Sequence, residues 1–414
     1  MESFFSLCCS SKERPVNEGL ELSKNAISSL YSVAKNHTHS TVQSNEKRLG
    51  YRKFPVASLE TIPENGCLQL SSFESISPRK DELKKLFRAA KSGHASTVSE
   101  YLRKGGDPDV RNYSDQSLLH VACFKGHVEI VKDLLKYSGD PLAIDTYKRT
   151  ALHYACLGGQ SHIIPVLHQV VTELPLTVPK DVGQDIYGCS LLHLAVVSGC
   201  LKTLKYIVLH SEISINAQDN KGRTCLYMAV QANMSDMVNF LLFMGANKSI
   251  GDPTGWTPIH EACSQGSLEM VKILISSNAD MTIIDKHLRT PLHVACEKGK
   301  LDAVKFLCRS GASVQARVEY GGSILHIACW QGSLDVVKYI HTKTSLDLNA
   351  VDDDNETACH WAAYKGFNDI VQYLVKNGAN SQVKSKDGIL PGEWFDDSVP
   401  DIIQDTIRHT LGLK

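Results

Sequence analysis

The chain has 414 residues, of which 43% are hydrophobic and 21% are charged, and these values are ordinary for a soluble globular protein. Its formal net charge at pH 7 is -1, so it has no overall field that would collect nucleic acid or an anionic membrane. No apolar stretch is long enough to predict a membrane-spanning helix, and the first residues lack the basic leader of a secretion signal. The sequence therefore predicts a cytoplasmic or nuclear protein.

Residues 1–80 differ in composition from the rest of the chain. They are rich in Ser, Asn and Lys, with few large apolar residues after Leu7, which predicts a mostly disordered segment. Within it, Cys8 and Cys9 are adjacent, and two interpretations stay open. Either both thiols are acylated, which would tether the chain stably to a membrane because two fatty chains anchor where one does not, or they are free thiols on a disordered tail.

The end of this segment carries a candidate phosphorylation site. Ser77 is followed by Pro78, Arg79 and Lys80, an order that resembles the substrate pattern of proline-directed kinases. A phosphate on Ser77 would lie just ahead of the first predicted helix, whose N-terminus favours negative charge. The sequence thus predicts a regulatory site at this boundary.

The remainder of the chain is dominated by an internal repeat. The tetrapeptide Thr-Pro-Ile-His at residues 257–260 returns as Thr-Pro-Leu-His at residues 290–293, and looser copies surround both. The spacing is 33 or 34 residues, apart from one interval of 40, and a regular period in this range is the signature of a stacked-repeat protein. The unit starts lie at residues 84, 117, 150, 190, 224, 257, 290, 323, 357 and 390.

Each unit predicts two short helices followed by an extended turn. In the unit that starts at Thr290, this residue is the N-cap and Pro291 suits the first helical position. The first helix is predicted from Pro291 to Glu297 and the second from Leu301 to Arg309. Gly311 ends the second helix in a left-handed conformation, and residues 312–322 form a hairpin-like turn into the next unit. One such pair cannot bury its apolar face alone, so the units must stack.

Period, motif and helix order together resemble the ankyrin repeat. The resemblance is carried by residues 257–262, 290–295 and the Asn-Gly-Ala-Asn at 377–380, and it covers roughly residues 81–395. It implies an all-α solenoid of about nine helix-pair repeats. The sequence accordingly predicts three parts: the N-terminal segment at 1–80, the repeat array at 81–395, and a C-terminal capping helix at 396–414.

One unit departs from the common length. The interval of 40 residues places an insertion around Thr172 to Gln184, and Pro165 falls inside the expected second helix, where it removes a backbone donor. Two interpretations stay open for the insertion. It is a tolerated surface loop, since longer loops cost little free energy, or it is a projecting loop that binds a partner.

Histidine and cysteine recur three residues apart on the predicted first helices, a spacing that would suit a metal site. Because every pair falls at the same place in its unit, a structural explanation is favoured. The ankyrin resemblance implies that the histidine bonds to neighbouring backbone and that the cysteine fills a small buried position. No phosphate-binding loop or nucleophile elbow is present, so we expect no metal, no cofactor and no enzyme activity. The pairs are His120/Cys123, His153/Cys156, His260/Cys263, His293/Cys296 and His326/Cys329.

The resemblance also implies where a partner would bind. In ankyrin arrays the hairpin tips and the exposed side of the first helices line one concave surface. Aromatic and arginine side chains at such positions are typical of binding hot spots, and the sequence favours a site centred on Trp256, Tyr320, Trp330 and Tyr364. The full set predicted to contact a partner is Tyr113, Phe124, Tyr147, Arg149, Arg223, Trp256, Gln265, Arg289, Tyr320, Trp330 and Tyr364.

The sequence thus predicts a non-enzymatic scaffold or adaptor that recruits one or more proteins, membrane-tethered if Cys8 and Cys9 are acylated. No nucleic acid or small-molecule substrate is expected. One alternative is a soluble regulator or inhibitor that masks a partner protein. Another is a non-catalytic subunit of a ubiquitin ligase or of an ankyrin-associated enzyme complex, although residues 401–414 show no adaptor-binding box rich in Leu and Cys.

Overall fold

The computed structural model describes residues 80–173 and 183–413. Over these ranges the chain forms nine helix pairs and one further helix, so the prediction of an all-helical solenoid is confirmed. The first helices of the pairs are α1 (Lys80–Ser92), α3 (Leu118–Lys125), α5 (Ala151–Leu157), α7 (Leu191–Val197), α9 (Cys225–Gln231), α11 (Pro258–Gln265), α13 (Pro291–Glu297), α15 (Ile324–Trp330) and α17 (Ala358–Tyr364). The second helices are α2 (Ala95–Arg103), α4 (Val128–Lys136), α6 (Ile164–Glu173), α8 (Leu201–His210), α10 (Ser235–Phe243), α12 (Leu268–Ser276), α14 (Leu301–Arg309), α16 (Leu334–Lys343) and α18 (Asn368–Lys376), and α19 (Asp401–Leu411) follows.

A recurring histidine caps seven of the nine first helices, and in six of these it also bonds to the backbone of the next unit. In α3 the Nδ1 of His120 accepts hydrogen bonds from the backbone N–H and the hydroxyl of Ser117, both at 2.9 Å. Its Nε2 then donates to the carbonyl of Arg149 in the following unit at 2.9 Å. Both ring nitrogens are therefore used, one for the helix cap and one for the joint between units. The same cap recurs at His153, His193, His260, His293, His326 and His360.

The core runs along the array rather than forming one central body. First helices pack beside first helices and second helices beside second helices. Leu118, Leu119 and Leu134 are at most 1% exposed, and each such leucine contributes about 1.5–3 kcal/mol through burial. Because every unit repeats this pattern, stability is spread over interfaces between neighbours.

Pro165 does not interrupt the second helix, contrary to the sequence expectation. Residues 161–163 form a turn, held by the bond from the Ile163 N–H to the Gln160 carbonyl, and α6 begins only at Ile164. Pro165 thus lies in the first turn, where its missing N–H leaves no helical bond unmade. The proline delays the start of α6 instead of breaking it.

The array continues across the long unit. Residues 174–182, which hold most of the insertion, lie outside the described residues, so both interpretations of that loop stay predictions. On its far side the N–H of Ile186 donates to the carbonyl of Tyr147 at 3.1 Å, which joins two successive hairpins. Cys8, Cys9 and Ser77 also lie outside the described residues.

The two ends of the array carry polar outer surfaces. Lys84, Lys85 and Arg88 are exposed on α1. At the other end, α19 packs against α18 through the buried residues Ile407 and Leu411, while Asp401, Asp405 and Thr406 are exposed on it. Polar end units keep a solenoid from stacking on itself. Within the described ranges, no helix combines the length and the apolar character that crossing a membrane requires.

Candidate protein-binding surface

The hairpin tips and the open side of the first helices form what we call the recognition surface. Tyr113 is 78% exposed and Tyr320 is 44% exposed, and Gln265 is also exposed, as the sequence predicts. The remaining predicted contact residues are less exposed than the sequence predicts. Each is half-buried because it packs against neighbouring side chains. These residues are Phe124, Tyr147, Arg149, Arg223, Trp256, Arg289, Trp330 and Tyr364.

The first cluster on this surface joins the hairpins on either side of the insertion. The rings of Tyr147 and Tyr187 stack with centres 6.4 Å apart, and the guanidinium carbon of Arg149 lies 5.4 Å from the first ring and 6.0 Å from the second. Arg149 also donates from Nη2 to Asp185 Oδ2 at 2.8 Å. The arginine therefore holds two tyrosines in fixed positions.

The second cluster surrounds Trp256. The guanidinium carbon of Arg289 lies 5.2 Å from the ring centre, and the indole N–H donates to Glu261 Oε2 at 3.0 Å. Gln265 donates to the other oxygen of Glu261 at 2.8 Å. Arg289 completes the arrangement with ion pairs to two carboxylates, Asp285 Oδ2 and Glu297 Oε2, each at 2.7 Å.

The third cluster, at the C-terminal end, contains most of the tryptophans. Trp330 stacks on Tyr364 at 5.6 Å and meets Trp361 edge-on at 5.7 Å, while Tyr364 also contacts Trp394 at 4.8 Å. The ammonium of Lys365 lies 4.3 Å above the Trp330 ring and pairs with Asp396 at 2.5 Å. These rings border a shallow pocket between the last full unit and the C-terminal cap.

The structure therefore distributes the residues that the sequence placed in one site. It brings Trp330 and Tyr364 into contact, as expected. Trp256 belongs to the second cluster, where it stacks on His260. Tyr320 lies at a hairpin tip with a left-handed backbone φ of 67°, and its carbonyl accepts the N–H of Asp353 in the next hairpin.

The recurring histidines and cysteines are committed to the core. Burial raises the pKa of the Cys123, Cys263 and Cys329 thiols well above the usual value, so these thiols stay protonated. Burial likewise lowers the pKa of His293 and His326 to about 4. Among the described residues, no group of three or more His, Cys, Asp or Glu side chains is arranged to hold a metal ion.

Comparison with known proteins identifies the repeat. A family model described as ankyrin repeats in three copies matches residues 86–171, 167–252, 226–318 and 315–387, which is well over half of the chain. The chain belongs to the ankyrin-repeat family. Each helix pair with its hairpin is thus one ankyrin repeat, and the fold indicates a scaffold for protein–protein interaction.

Two individual proteins are similar to this ankyrin-repeat chain. The glycerophosphocholine phosphodiesterase GDE1 of Candida albicans is 35% identical over 94 residues, which is 22% of this chain and 8% of that enzyme. This chain therefore spans less than a tenth of the enzyme's length. Among solved structures, the ankyrin repeat domain of Bcl-3 is 28% identical, with a TM-score of 0.46, and the match covers 54% of this chain and 97% of the other.

Sequence reasoning missed several residues of the ankyrin surface. Trp394 lies beyond the last full repeat and was not counted with the repeat positions, although it is 43% exposed beside Tyr364. Glu261 organises the second cluster by accepting bonds from Trp256, Gln265 and Tyr227. Tyr227, in the place of the usual histidine, is what brings its hydroxyl to this carboxylate at 3.1 Å.

A pair of buried acids was also missed. Asp352 is 9% exposed and Glu356 is 8% exposed, and Glu356 borders the pocket of the third cluster. Burial, followed by the charge of Asp352, raises the pKa of Glu356 to about 7. A comparison of equivalent positions in the repeats could have drawn attention to Glu356, because Arg223 and Arg289 occupy its position in two other ankyrin repeats.

Proposed function

We propose that this ankyrin array is a non-enzymatic scaffold or adaptor that recruits a protein ligand on its recognition surface. The observation that supports it is the presence of three aromatic clusters spaced along the hairpin tips and first helices of the array, two with an arginine and one with a lysine over a ring. Aromatic and arginine side chains held in place by their neighbours form binding hot spots at low entropic cost.

The opposite side of the repeats provides a matched reference. Phe243, at the end of the second helix α10, is 86% exposed, but scattered apolar residues of this kind are normal on protein surfaces. A partner that uses the recognition surface should contact the hairpin tips and leave the neighbourhood of Phe243 free.

Photo-crosslinking tests this proposal. A benzophenone amino acid is introduced at Tyr320 or, as the control, at Phe243 of the full chain, and both proteins are irradiated in cell extract. The proposal expects discrete protein adducts from position 320 that unlabelled chain competes away, and none from position 243. Equal adducts at both positions, or adducts at 243 alone, would remove the recognition surface from consideration.

Membrane tethering is a separate part of the proposal. Its support is the adjacency of Cys8 and Cys9 to Phe4, Phe5 and Leu7, since two acyl chains give stable anchoring. Fractionation of cells expressing the intact chain or a variant with both Cys8 and Cys9 replaced by Ser tests it. The tether predicts loss of the membrane fraction on substitution, whereas an unchanged distribution rules it out and leaves protein binding untouched.

A further inference from the structure

The net charge of -1 conceals an uneven distribution of charge between the two ends of the array. At the C-terminal end, residues 390–413 contain five acidic residues and one basic residue, Arg408. At the N-terminal end, helices α1 and α2 contain six basic residues and three acidic residues. The array therefore has a basic end and an acidic end, and the sum over the chain describes the field at neither.

The basic residues of α1 share one side of the helix. Leu86, Ala89 and Ala90 form the buried side, which packs into the array. A rotation of about 100° per residue places the five basic side chains within about 140° of the helix circumference, and among the acids only Asp81 falls between them. All five are exposed, and together they form what we call the basic face: Lys80, Lys84, Lys85, Arg88 and Lys91.

Neighbouring acids do not neutralise the basic face. In an inner repeat an exposed lysine pairs with an acid three residues earlier, as Lys132 does with Glu129 at 3.6 Å. Within the described residues, no member of the basic face forms such an ion pair. The one acid of α2 is Glu100, and the hydrogen bond and charge of Lys104 lower its pKa, with a smaller contribution from Lys85. That acid is thus already paired, and the positive charge of α1 faces solvent.

The sequence ahead of α1 contains a second basic segment. Four basic residues fall within residues 47–53, and this stretch contains no acid. The segment lies outside the described residues, as do the thiols of Cys8 and Cys9. The basic face, the basic segment and the two thiols all come at or before the first repeat, whereas the acidic end follows the last one. An extended anionic surface attracts both basic elements at once, and a compact acidic partner matches only one of them.

We propose that the basic face docks on the anionic headgroups of a membrane leaflet. Basic side chains that lie within a Debye length of such a leaflet are attracted to it, and their contributions add. The inference extends the proposed tether, because a basic patch supplies a second signal beside an acyl chain. It does not require acylation of Cys8 or Cys9, so the two ideas can fail separately. The acidic C-terminal end is repelled by the same leaflet, which leaves that part of the recognition surface accessible.

Vesicle sedimentation tests the basic face in the absence of any acyl chain. It uses the full chain with Cys8 and Cys9 replaced by Ser. Vesicles of phosphatidylcholine alone are compared with vesicles of three parts phosphatidylcholine and one part phosphatidylserine. Each is measured at about 0.1 M and about 1 M salt, since the Debye length falls from about 10 Å to about 3 Å between them.

The variants remove the same number of charges from two different places. The residues introduced are good helix formers, so α1 keeps its helix. The face variant combines Lys84→Gln, Lys85→Gln and Arg88→Gln. The matched control combines Lys202→Gln, Lys272→Gln and Lys338→Gln, at three exposed lysines on the second helices α8, α12 and α16. A third variant exchanges Lys and Arg at the three face positions and so retains their charge.

The proposal expects the full chain to sediment with the vesicles that contain phosphatidylserine, and high salt to release it. The face variant should bind at least about tenfold more weakly, because each cation beside the leaflet contributes about fivefold. The matched control and the charge-retaining variant should bind like the parent chain.

Three results would overturn the inference: no binding to the anionic vesicles, equal binding to both kinds of vesicle, or a face variant that binds as well as the matched control. Salt-sensitive self-association in sedimentation velocity, lost in the face variant and without vesicle binding, would also overturn it and assign the basic face to the acidic end of a second copy. None of these results bears on the cross-linking at position 320 or on the fractionation that tests Cys8 and Cys9, so the proposed function is tested separately.

Discussion

The side chain of Arg289 lies over the ring of Trp256, with its guanidinium carbon 5.2 Å from the ring centre. Because Arg289 is also paired with two carboxylates, the ring and the cation fix each other's position. Lys365 holds the same relation to Trp330 at 4.3 Å. Side chains that are ordered before a partner arrives lose little entropy on binding, which is why these clusters suit recognition.

Replacing Trp330 by alanine should weaken partner binding by about 2 kcal/mol, roughly 30-fold, because the substitution removes a large ring at the centre of the third cluster. Biolayer interferometry measures the affinity for the partner that the cross-linking experiment identifies, and circular dichroism checks that the array stays folded. Phe243→Ala is the control, since it removes an equally apolar ring from a second helix. An affinity loss in Phe243→Ala that equals the loss in Trp330→Ala would contradict this assignment.

Arg289→Ala should reduce the free energy of unfolding by about 2–4 kcal/mol, because Asp285 and Glu297 then lose their common cation. Urea denaturation at pH 7 measures it, with Lys305→Ala, which removes a long exposed pair with Asp302, as the control. The loss should shrink on acidification, since protonated carboxyls no longer need a cation. A loss as small as that of Lys305→Ala would show that the buried pair is dispensable.

The buried histidines should make the array sensitive to acid. Burial first of all lowers the pKa of His293 and His326 to about 4, against an ordinary value near 6.5. Between these values the unfolded chain binds protons that the folded chain does not. Stability from these groups is therefore fully present above about pH 6.5 and is lost as pH falls toward 4. Thermal unfolding followed from pH 8 to pH 4 measures it, and a melting temperature constant over that range would refute the assignment.

Glu356 should act in the opposite direction. Its pKa in the folded chain is raised to about 7 from a value of 4.5, so the folded state retains its proton longer than the unfolded state does. The stability it contributes is present below about pH 4.5 and is lost as pH rises through 7. Glu356→Gln should consequently be more stable than wild type at pH 8, by on the order of 1 kcal/mol after solvent screening, with the difference vanishing near pH 4.5. Wild type more stable than the variant at pH 8 would contradict the raised pKa.

The repeat architecture could be predicted from the sequence because one physical requirement recurs every 33 or 34 residues. Thr290, Pro291 and His293 each have a local role in starting a helix, and the same roles appear in unit after unit. The prediction that Pro165 lies in the interior of the second helix was wrong, because the start of α6 depends on how the preceding turn folds. Local propensity alone does not set that start.

The surface was less predictable because it depends on contacts across repeats. Trp330 and Tyr364 are 34 positions apart, and only the stacking of two repeats brings their rings to 5.6 Å. The role of Glu356 was hidden for the same reason. As a single residue it reads as part of a solvated acidic turn, whereas the folded repeats bury it beside Asp352.

Hydrogen–deuterium exchange of the array with and without the partner cross-linked at position 320 tests the central claim most directly. The account predicts slowed exchange in the hairpin tips and first helices around Trp256, Trp330 and Tyr364, with the second helices, including α10, unchanged. Protection confined to the second helices would contradict recognition through the aromatic clusters.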